Sequence, residues 1–122
     1  MILLDTNALI WLESGHRRAR PLLQQSGRLY VSPASLLELQ IAYEAKSLRL
    51  RGATPRWVLD DDRWLVDEPP AVEWFLGAGE VGWTRDPFDR LLVAHAVLRR
   101  WQVATADTLI LEQLGPSRTI AL

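Results

Sequence analysis

The chain has 122 residues, no cysteine, two histidines, and 14 basic against 15 acidic side chains, so its net charge is −1. This length is typical of a single domain, which we assign to residues 1–122. The missing cysteines exclude a disulfide framework and a thiolate metal site, and two histidines are too few for a histidine-rich one. The net charge argues against a protein that binds polyanions through bulk positive charge.

The apolar runs are too short for a membrane span or a signal peptide. Only Ile2 to Leu4 separate Met1 from the first charged residue, Asp5. A signal peptide needs a basic start followed by about 7–15 apolar residues, and a membrane span needs roughly 18. We therefore expect a cytoplasmic protein that does not contact a membrane.

Short apolar strands alternate with helices along the predicted chain. In the first half we predict a strand at 2–4, helices at 8–13 and 17–25, a strand at 29–31, a long helix at 34–50 and a short helix at 55–63. In the second half we predict a strand at 64–66, helices at 71–76 and 87–100, a strand at 102–105, a helix at 108–114 and a strand at 119–122. This alternation favours an α/β fold with a parallel sheet covered on both faces.

Acidic residues stand at positions where charge is unexpected. Asp5 and Asp107 each follow an apolar strand, and ligands of open parallel sheets bind at the carboxyl ends of the strands. Glu38 lies on a helix face of small apolar side chains, where an unpaired carboxylate is costly. Asp86 and Asp89 lie three residues apart, near one face of a helix start. These acids are the candidate functional residues.

Each of these acids also has a structural interpretation as a helix cap. Asp86 before a proline is a typical N-cap, Asp5 and Asp107 precede helices, and the segment 35–38 fits a capping box. Four or five carboxylates at one sheet edge would, however, repel one another unless a cation neutralised them. Oxygen ligands suit Mg²⁺ or Mn²⁺, which support phosphodiester hydrolysis. The residues alone leave both interpretations open.

Four sequence blocks follow one another in a specific order: LLDTNALIW at 3–11, SLLEL at 35–39, RDPFDRLLVA at 85–94 and TAD at 105–107. In this order and spacing they resemble the PIN-domain family, and within it the VapC-type toxins of bacterial toxin–antitoxin pairs. The resemblance covers essentially the whole chain, and the RDPFDRLL run is its most specific part.

The resemblance implies both a fold and an activity. The fold is a three-layer α/β/α sandwich with a short parallel sheet. The activity is that of a ribonuclease that depends on Mg²⁺ or Mn²⁺ and cleaves RNA. The resemblance also implies a cognate antitoxin protein, a segment of which occludes the active site, and a homodimer.

The site residues implied by the resemblance lie in the same four blocks. Its acidic quartet, which binds metal and carries out catalysis, corresponds to Asp5, Glu38, Asp89 and Asp107. In this assignment the three aspartates are the main metal ligands, and the glutamate completes the pocket. Asn7 and Thr105 are similar to the polar neighbours that hydrogen-bond the ligands. Asp86 is assigned mainly as a helix cap, with a lesser role beside the ligands.

One segment departs from the family pattern. Thr84 stands where relatives often carry histidine, and the preceding segment GAGEVG at 77–82 is rich in glycine. This segment formally matches G-x-G-x-x-G, but it lacks the immediately following helix that a nucleotide site requires. We therefore interpret residues 77–82 as a mobile loop.

Several other side chains have two interpretations. His95 on the apolar helix is predicted to be a core histidine, and Trp83 is either core or a platform for a base. A second apolar side of the long helix predicts contact with another helix or with another chain, in a dimer or an antitoxin groove; it consists of Leu36, Leu39, Tyr43 and Leu50. Six arginines fit the rim of an RNA path or solvated faces equally well: Arg17, Arg18, Arg20, Arg28, Arg49 and Arg51.

Two alternative functions remain at this point. A receiver-like domain that accepts a phosphoryl group also clusters acids at strand ends, but it needs a lysine after a late strand. The only lysine, Lys46, lies within the long predicted helix. The second alternative is a catalytically silent PIN-fold interaction module, against which the intact acidic quartet argues.

Overall fold

The secondary structure alternates as predicted over residues 1–45 and 54–122, which this computed structural model describes. The strands are β1 (Ile2–Leu4), β2 (Leu29–Val31), β3 (Leu65–Val66), β4 (Gln102–Thr105) and β5 (Thr119–Ala121). The helices are α1 (Thr6–Ser14), α2 (Arg20–Leu23), α3 (Pro33–Glu44), α4 (Ala71–Gly79), α5 (Pro87–Arg99) and α6 (Thr108–Leu114), with 3₁₀ turns at Arg17–Ala19 and Pro55–Asp60. None of the helices in the described ranges is long and apolar enough to cross a membrane.

The five strands form one parallel sheet in the order β3-β2-β1-β4-β5. Strand β1 lies at the centre, where Ile2 is in register with Leu29 of β2 and with Gln102 of β4. The chain builds outward from β1 to β3 and then returns to the other side of β1 with β4. The strand order therefore reverses between β1 and β4, which is where open α/β sheets bind ligands.

Alternate residues of the central strand pack on opposite faces of the sheet. Leu3 lies in a buried cluster with residues of α5 and α6, whereas Ile2 and Leu4 lie in a second cluster with residues of α1, α2 and α3. Because successive side chains of a strand point to opposite faces, three apolar residues are enough to anchor both layers. This arrangement confirms the predicted α/β fold with helices on both faces.

Three predicted helix caps are confirmed. Asp5 accepts a hydrogen bond from the Ala8 N–H at 2.7 Å, so α1 begins at Thr6, two residues earlier than predicted. Asp86 accepts from the main chain at the start of α5, and Asp107 accepts from the main chain at the start of α6. Each carboxylate satisfies an N–H group that the helix leaves without a partner.

The predicted capping box at 35–38 is wrong. Helix α3 begins at Pro33, and its N-cap is Ser32, whose hydroxyl accepts from the Ala34 N–H at 3.2 Å. Ser35 and Glu38 therefore lie inside the helix, and their side chains are free to face the rest of the fold. The predicted extension of this helix to residue 50 lies outside the described residues from 46 onward.

The glycine-rich segment at 77–82 does not form the predicted mobile loop throughout, because its first three residues belong to a helix. Helix α4 continues through Gly77 and Gly79 before it ends. A Cβ atom at Gly77 would lie 3.6 Å from the Cβ of Ala94 on α5, so the two helices pack closely at this point. Packing against α5 therefore extends the helix through residues that disfavour one.

The second apolar side of α3 is covered by the chain itself. Leu39 is fully buried, and the Trp57 indole N–H donates to the Tyr43 hydroxyl at 2.8 Å. The 3₁₀ turn that contains Trp57 therefore occupies this side of the helix, which agrees with the first of the two predicted contacts, another helix, and not with a partner chain. Leu50, the last residue of that predicted surface, lies outside the described residues.

Leu3→Ala is expected to lower the free energy of unfolding by about 2–5 kcal/mol, because it leaves a cavity in the middle of the sheet. Leu3 is fully buried, whereas Leu23 is 74% exposed. The matched control Leu23→Ala should change stability by less than about 0.5 kcal/mol. Urea denaturation of both variants checks this pair, and equal losses would contradict the assigned core.

Candidate active site

The carboxyl ends of β1 and β4 open into a cavity of about 520 Å³. All four acids of the predicted quartet line it: Asp5, Glu38, Asp89 and Asp107. They arrive from four different elements, since Asp5 follows β1, Glu38 lies on α3, Asp89 begins α5 and Asp107 follows β4. The parallel sheet thus gathers residues that are far apart in the sequence.

Thr105 connects the two aspartates that follow the central strands. Its hydroxyl donates to Asp5 Oδ2 at 2.6 Å and accepts from the Asp107 N–H at 3.0 Å. Asp5 and Thr105 are both buried. This hydroxyl sets the position of the Asp5 carboxylate relative to the start of α6.

Glu38 is held by residues of the first helix. Its Oε1 accepts a short hydrogen bond from the Thr6 hydroxyl, and that hydroxyl lies 3.1 Å from the Ser35 Oγ. Thr6 and Ser35 also line the cavity. The glutamate carboxylate is therefore oriented by α1, although it is carried by α3.

Asp89 faces the cavity because its neighbour takes the capping role. Asp86 Oδ1 accepts from the Phe88 N–H at 2.8 Å and from the Asp89 N–H at 3.3 Å. Asp86 is exposed and does not line the cavity, so its assignment as a helix cap is confirmed. The Asp89 side chain is left free to point toward the other acids.

Burial, and after it the negative charge of neighbouring acids, raises the pKa values of Asp5, Glu38 and Asp89. Burial raises the pKa of Asp89 to about 6, helped by the negative charges of Asp86, Asp107, Glu38 and Asp5. Burial also raises the pKa of Asp5, against the hydrogen bonds from Thr105 and Ala8, and it raises the pKa of Glu38 against the hydrogen bond from Thr6. The cavity therefore concentrates negative charge that its hydrogen bonds only partly offset.

This donor set favours a hydrated divalent cation. No three acidic or histidine side chains within residues 1–45 and 54–122 stand close enough together to enclose a metal ion. Mg²⁺, however, keeps several of its waters and is usually bound by one or two carboxylates. Carboxylate oxygens that repel one another in a partly buried cavity match that requirement.

The structure places most of the predicted site residues around the cavity, and it adds others. Asn7 lines the cavity, and its amide makes no hydrogen bond to the acids among the described residues. Thr6, Ser35, Trp11 and Arg18 line it as well, although sequence reasoning did not assign the first three to the site. Two of these residues could have been assigned to the site from the sequence. Thr6 follows Asp5 directly, and Ser35 lies one helical turn before Glu38.

Two other candidates lie in the core. His95 is fully buried, and its Nε2 lies 2.7 Å from Asp67 Oδ2, which confirms the prediction of a core histidine. Trp83 is partly buried against the cluster that contains Leu3, and it does not line the cavity. The platform for a base that we considered at Trp83 is therefore not part of this site.

Residues 2–113 match the PIN domain family. The chain belongs to the PIN domain family. Comparison with curated protein sequences gave no match. The family match spans the four acids and the cavity that they line, so it covers the whole candidate active site.

Solved structures share the fold of this PIN domain over almost its whole length. A chain of a toxin–antitoxin complex from Klebsiella pneumoniae has a TM-score of 0.71 at 18% identity, covering 99% of this chain and 97% of that one. A chain of VapBC2 from Rickettsia felis, bound to a DNA fragment from its promoter, has a TM-score of 0.70 at 19% identity, covering 100% and 99%. FitAcB from Neisseria gonorrhoeae has a TM-score of 0.53 at 26% identity, covering 88% of both chains.

The topology excludes the receiver-like alternative. Receiver domains have the strand order 2-1-3-4-5, whereas this PIN domain has the order 3-2-1-4-5. The acids at the strand ends therefore belong to a different arrangement from that of a phosphoryl acceptor. Lys46 lies outside the described residues.

Asp89→Asn is expected to stabilise the metal-free protein at pH 7.5 by about 2–3 kcal/mol. The pKa of Asp89 is raised from 3.8 to about 6 on folding, so its contribution favours the folded state at low pH and is lost as the pH rises through about 6. The stability gain should therefore shrink toward pH 4. Thermal unfolding in a chelating buffer measures the difference.

The matched control for this prediction is Asp62→Asn. Asp62 is exposed and does not line the cavity, so its replacement should change the stability at pH 7.5 by less than about 0.5 kcal/mol. An Asp89→Asn protein that is less stable than the wild type at pH 7.5 would contradict the repulsion between the acids.

Proposed function

We propose that this PIN domain is a metal-dependent endoribonuclease that hydrolyses RNA phosphodiester bonds, and that it is the toxin of a toxin–antitoxin pair. The observation that carries the proposal is the convergence of the four acids on one cavity where the strand order reverses. PIN domains are in general nucleases, which supports the reaction class. Toxin–antitoxin complexes among the structures of similar fold support the biological role.

In this proposal Mg²⁺ or Mn²⁺ lies among Asp5, Asp89 and Asp107, which would hold it partly through its bound waters, and Glu38 completes the pocket. When bound, the cation would neutralise the carboxylates, activate water and stabilise charge on the scissile phosphate. The protein's contribution is to fix the directions of the carboxylates before substrate arrives. Thr105 does this for Asp5 through a hydrogen bond of 2.6 Å, and groups that orient metal ligands in this way matter for affinity and activity.

Asp5→Asn and Asp89→Asn are each expected to lower the rate of RNA cleavage by at least about 100-fold, because changes to groups that only support metal ligands already cost 10–100-fold. The assay follows cleavage of a labelled single-stranded RNA in Mg²⁺ or Mn²⁺, with a chelator added to a parallel sample. Asp62→Asn, which removes a carboxylate of the same kind from the exposed surface, should cleave at the wild-type rate.

The two aspartate variants also control for a contaminating ribonuclease, because they are purified in the same way as the wild type. Cleavage by Asp89→Asn at the wild-type rate would overturn the nuclease proposal. A folded wild-type protein that neither cleaves RNA nor binds Mn²⁺ in calorimetry would favour the silent interaction module.

The toxin role requires a cognate antitoxin protein. We propose that a segment of the antitoxin covers the acid cavity and so blocks the approach of RNA. The cavity opens at the carboxyl edge of the sheet, and the exposed side chains of Asn7 and Arg18 lie at its surface. A partner chain is therefore able to reach it without rearrangement of the core.

The apolar face of α4 supports a homodimer. Val72, Phe75 and Leu76 are 71%, 59% and 69% exposed, and their spacing places them on one side of the helix. Contiguous exposed apolar side chains mark protein interfaces. We assign this face to a second copy of the chain, because a two-fold contact allows the same patch to cover itself.

Phe75→Arg is therefore expected to convert a dimer into a monomer, because it places a charge at the centre of this apolar patch. Sedimentation equilibrium measures the mass. Leu23→Arg introduces the same charge on α2, where Leu23 is 74% exposed, and should leave the mass unchanged. A wild-type monomer, or a dimer that persists in Phe75→Arg, would contradict the assignment.

A further inference from the structure

A basic and aromatic pair forms part of the wall of the acid cavity. Trp11 lies at the middle of α1, and Arg18 lies in the 3₁₀ turn that follows. Both line the cavity, and Arg18 is the only basic side chain to do so within the described residues. The contacts of Arg18 indicate which kind of anion this side chain binds at the edge of the acidic cavity.

Arg18 is held in place by an aromatic ring and by main-chain and ring groups, one of which is an oxygen of Leu122, the last residue of the chain. Its guanidinium carbon lies 4.9 Å from the centroid of the Trp11 ring, and Nη2 donates to the main-chain oxygen of Leu122 at 2.8 Å. The Arg18 N–H donates to His16 Nδ1 at 3.1 Å, and the His16 ring stacks on Trp11 at 5.5 Å. These contacts fix both the backbone and the planar head of the arginine.

The charge of Arg18 has no carboxylate side chain as a partner among the described residues. Other arginines of the chain do have such partners, since Arg63 lies 2.5 Å from Glu13 and Arg99 lies 2.9 Å from Asp67. Arg18 is exposed although four carboxylates line the same cavity. Leu122 takes only Nη2 of the guanidinium, and the other guanidinium N–H groups have no partner among the described residues, so they are available to an anion from outside.

The proposed function supplies that anion as a phosphate of the substrate. An RNA strand that enters an acidic cavity brings negative charge on every phosphate, so it is repelled unless a cation receives it. The planar fork of arginine matches phosphate oxygens, and stacking on an aromatic ring limits the entropy lost on binding. A substrate with only the scissile phosphate would not need this contact.

We propose that Arg18, braced by Trp11 and His16, binds a phosphate of the RNA strand adjacent to the scissile one. Arg18 is then a substrate-binding residue, and Trp11 is a positioning residue that acts through it. This assignment rests on the proposed ribonuclease function and adds a preference for a strand of several nucleotides over a single phosphodiester.

The first test measures binding in the Asp89→Asn background, so that RNA stays intact. A labelled single-stranded RNA of about a dozen nucleotides is titrated at several salt concentrations. Adding Arg18→Gln should weaken binding and make the slope of log Kd against log salt shallower by about 0.7, the value for one lost phosphate contact on a single strand. Adding Arg20→Gln, an exposed arginine that does not line the cavity, should leave the slope unchanged.

A second variant separates loss of contact from loss of structure. Arg18→Lys keeps the charge and loses the planar head, so it should retain the salt slope while weakening affinity. If Arg18→Gln and the Asp89→Asn parent show the same affinity and the same slope, the assignment of Arg18 is overturned. A lower melting temperature in Arg18→Gln with an unchanged salt slope also overturns it, since Arg18 would then serve only the fold.

The second test uses cleavage by proteins that retain all four acids. Arg18→Gln should lower kcat/KM about tenfold for the single-stranded RNA and leave the rate on a dinucleoside monophosphate unchanged. Equal rates of Arg18→Gln and wild type on both substrates overturn the Arg18 assignment and leave the ribonuclease function standing. A wild type that binds RNA with the predicted slope but never cleaves it overturns the ribonuclease function and supports the phosphate contact.

Discussion

The hydroxyl of Thr105 joins the two halves of the sheet at the point where the strand order reverses. It donates to Asp5 at 2.6 Å and accepts from the main chain of Asp107 at 3.0 Å, so one buried group ties the ends of β1 and β4 together. The rest of the candidate site depends on this contact. Helices α1 and α6 begin at these two aspartates, and α1 carries Thr6, the residue that orients Glu38.

Asp5 and Asp107 each cap a helix and also line the candidate active site. The sequence alone had left these two roles as alternatives. Asp5 uses Oδ1 to cap α1 and presents Oδ2 to Thr105, and Asp107 caps α6 while it lines the cavity. A cap fixes the carboxylate at the helix start, and in a parallel sheet the helix starts meet at one edge. On α5 the two roles are divided, because Asp86 caps the helix and Asp89 faces the cavity.

A net charge of −1 describes the whole chain but not its surface. Four acids line one cavity, where burial, and after it the neighbouring negative charges, raises the pKa of Asp89 to about 6. Arg18 lies at the edge of that cavity, held by an aromatic ring, the ring of His16 and an oxygen of Leu122, and within the described part of the chain no carboxylate side chain pairs with it. In the proposed function, the attraction of RNA to this protein depends on local contacts and bound cations, and little on the sum of its charges.

The sequence by itself predicted the five strands, the three helix caps at Asp5, Asp86 and Asp107, and the four acids that line the cavity. Apolar runs, cap residues and the RDPFDRLL block are local signals, because each depends on side chains within a few residues of one another. Only the tertiary structure decided which distant side chains meet. The Thr105 hydroxyl lies beside Asp5, 100 residues away in the sequence, and the Thr6 hydroxyl lies beside Glu38, 32 residues away. Tertiary structure also decided that α4 continues through Gly77 and that Trp57 covers the second side of α3, since packing against another element outweighs local propensity. Arg18 faces the cavity for the same reason, because only the fold brings its turn to the end of the sheet.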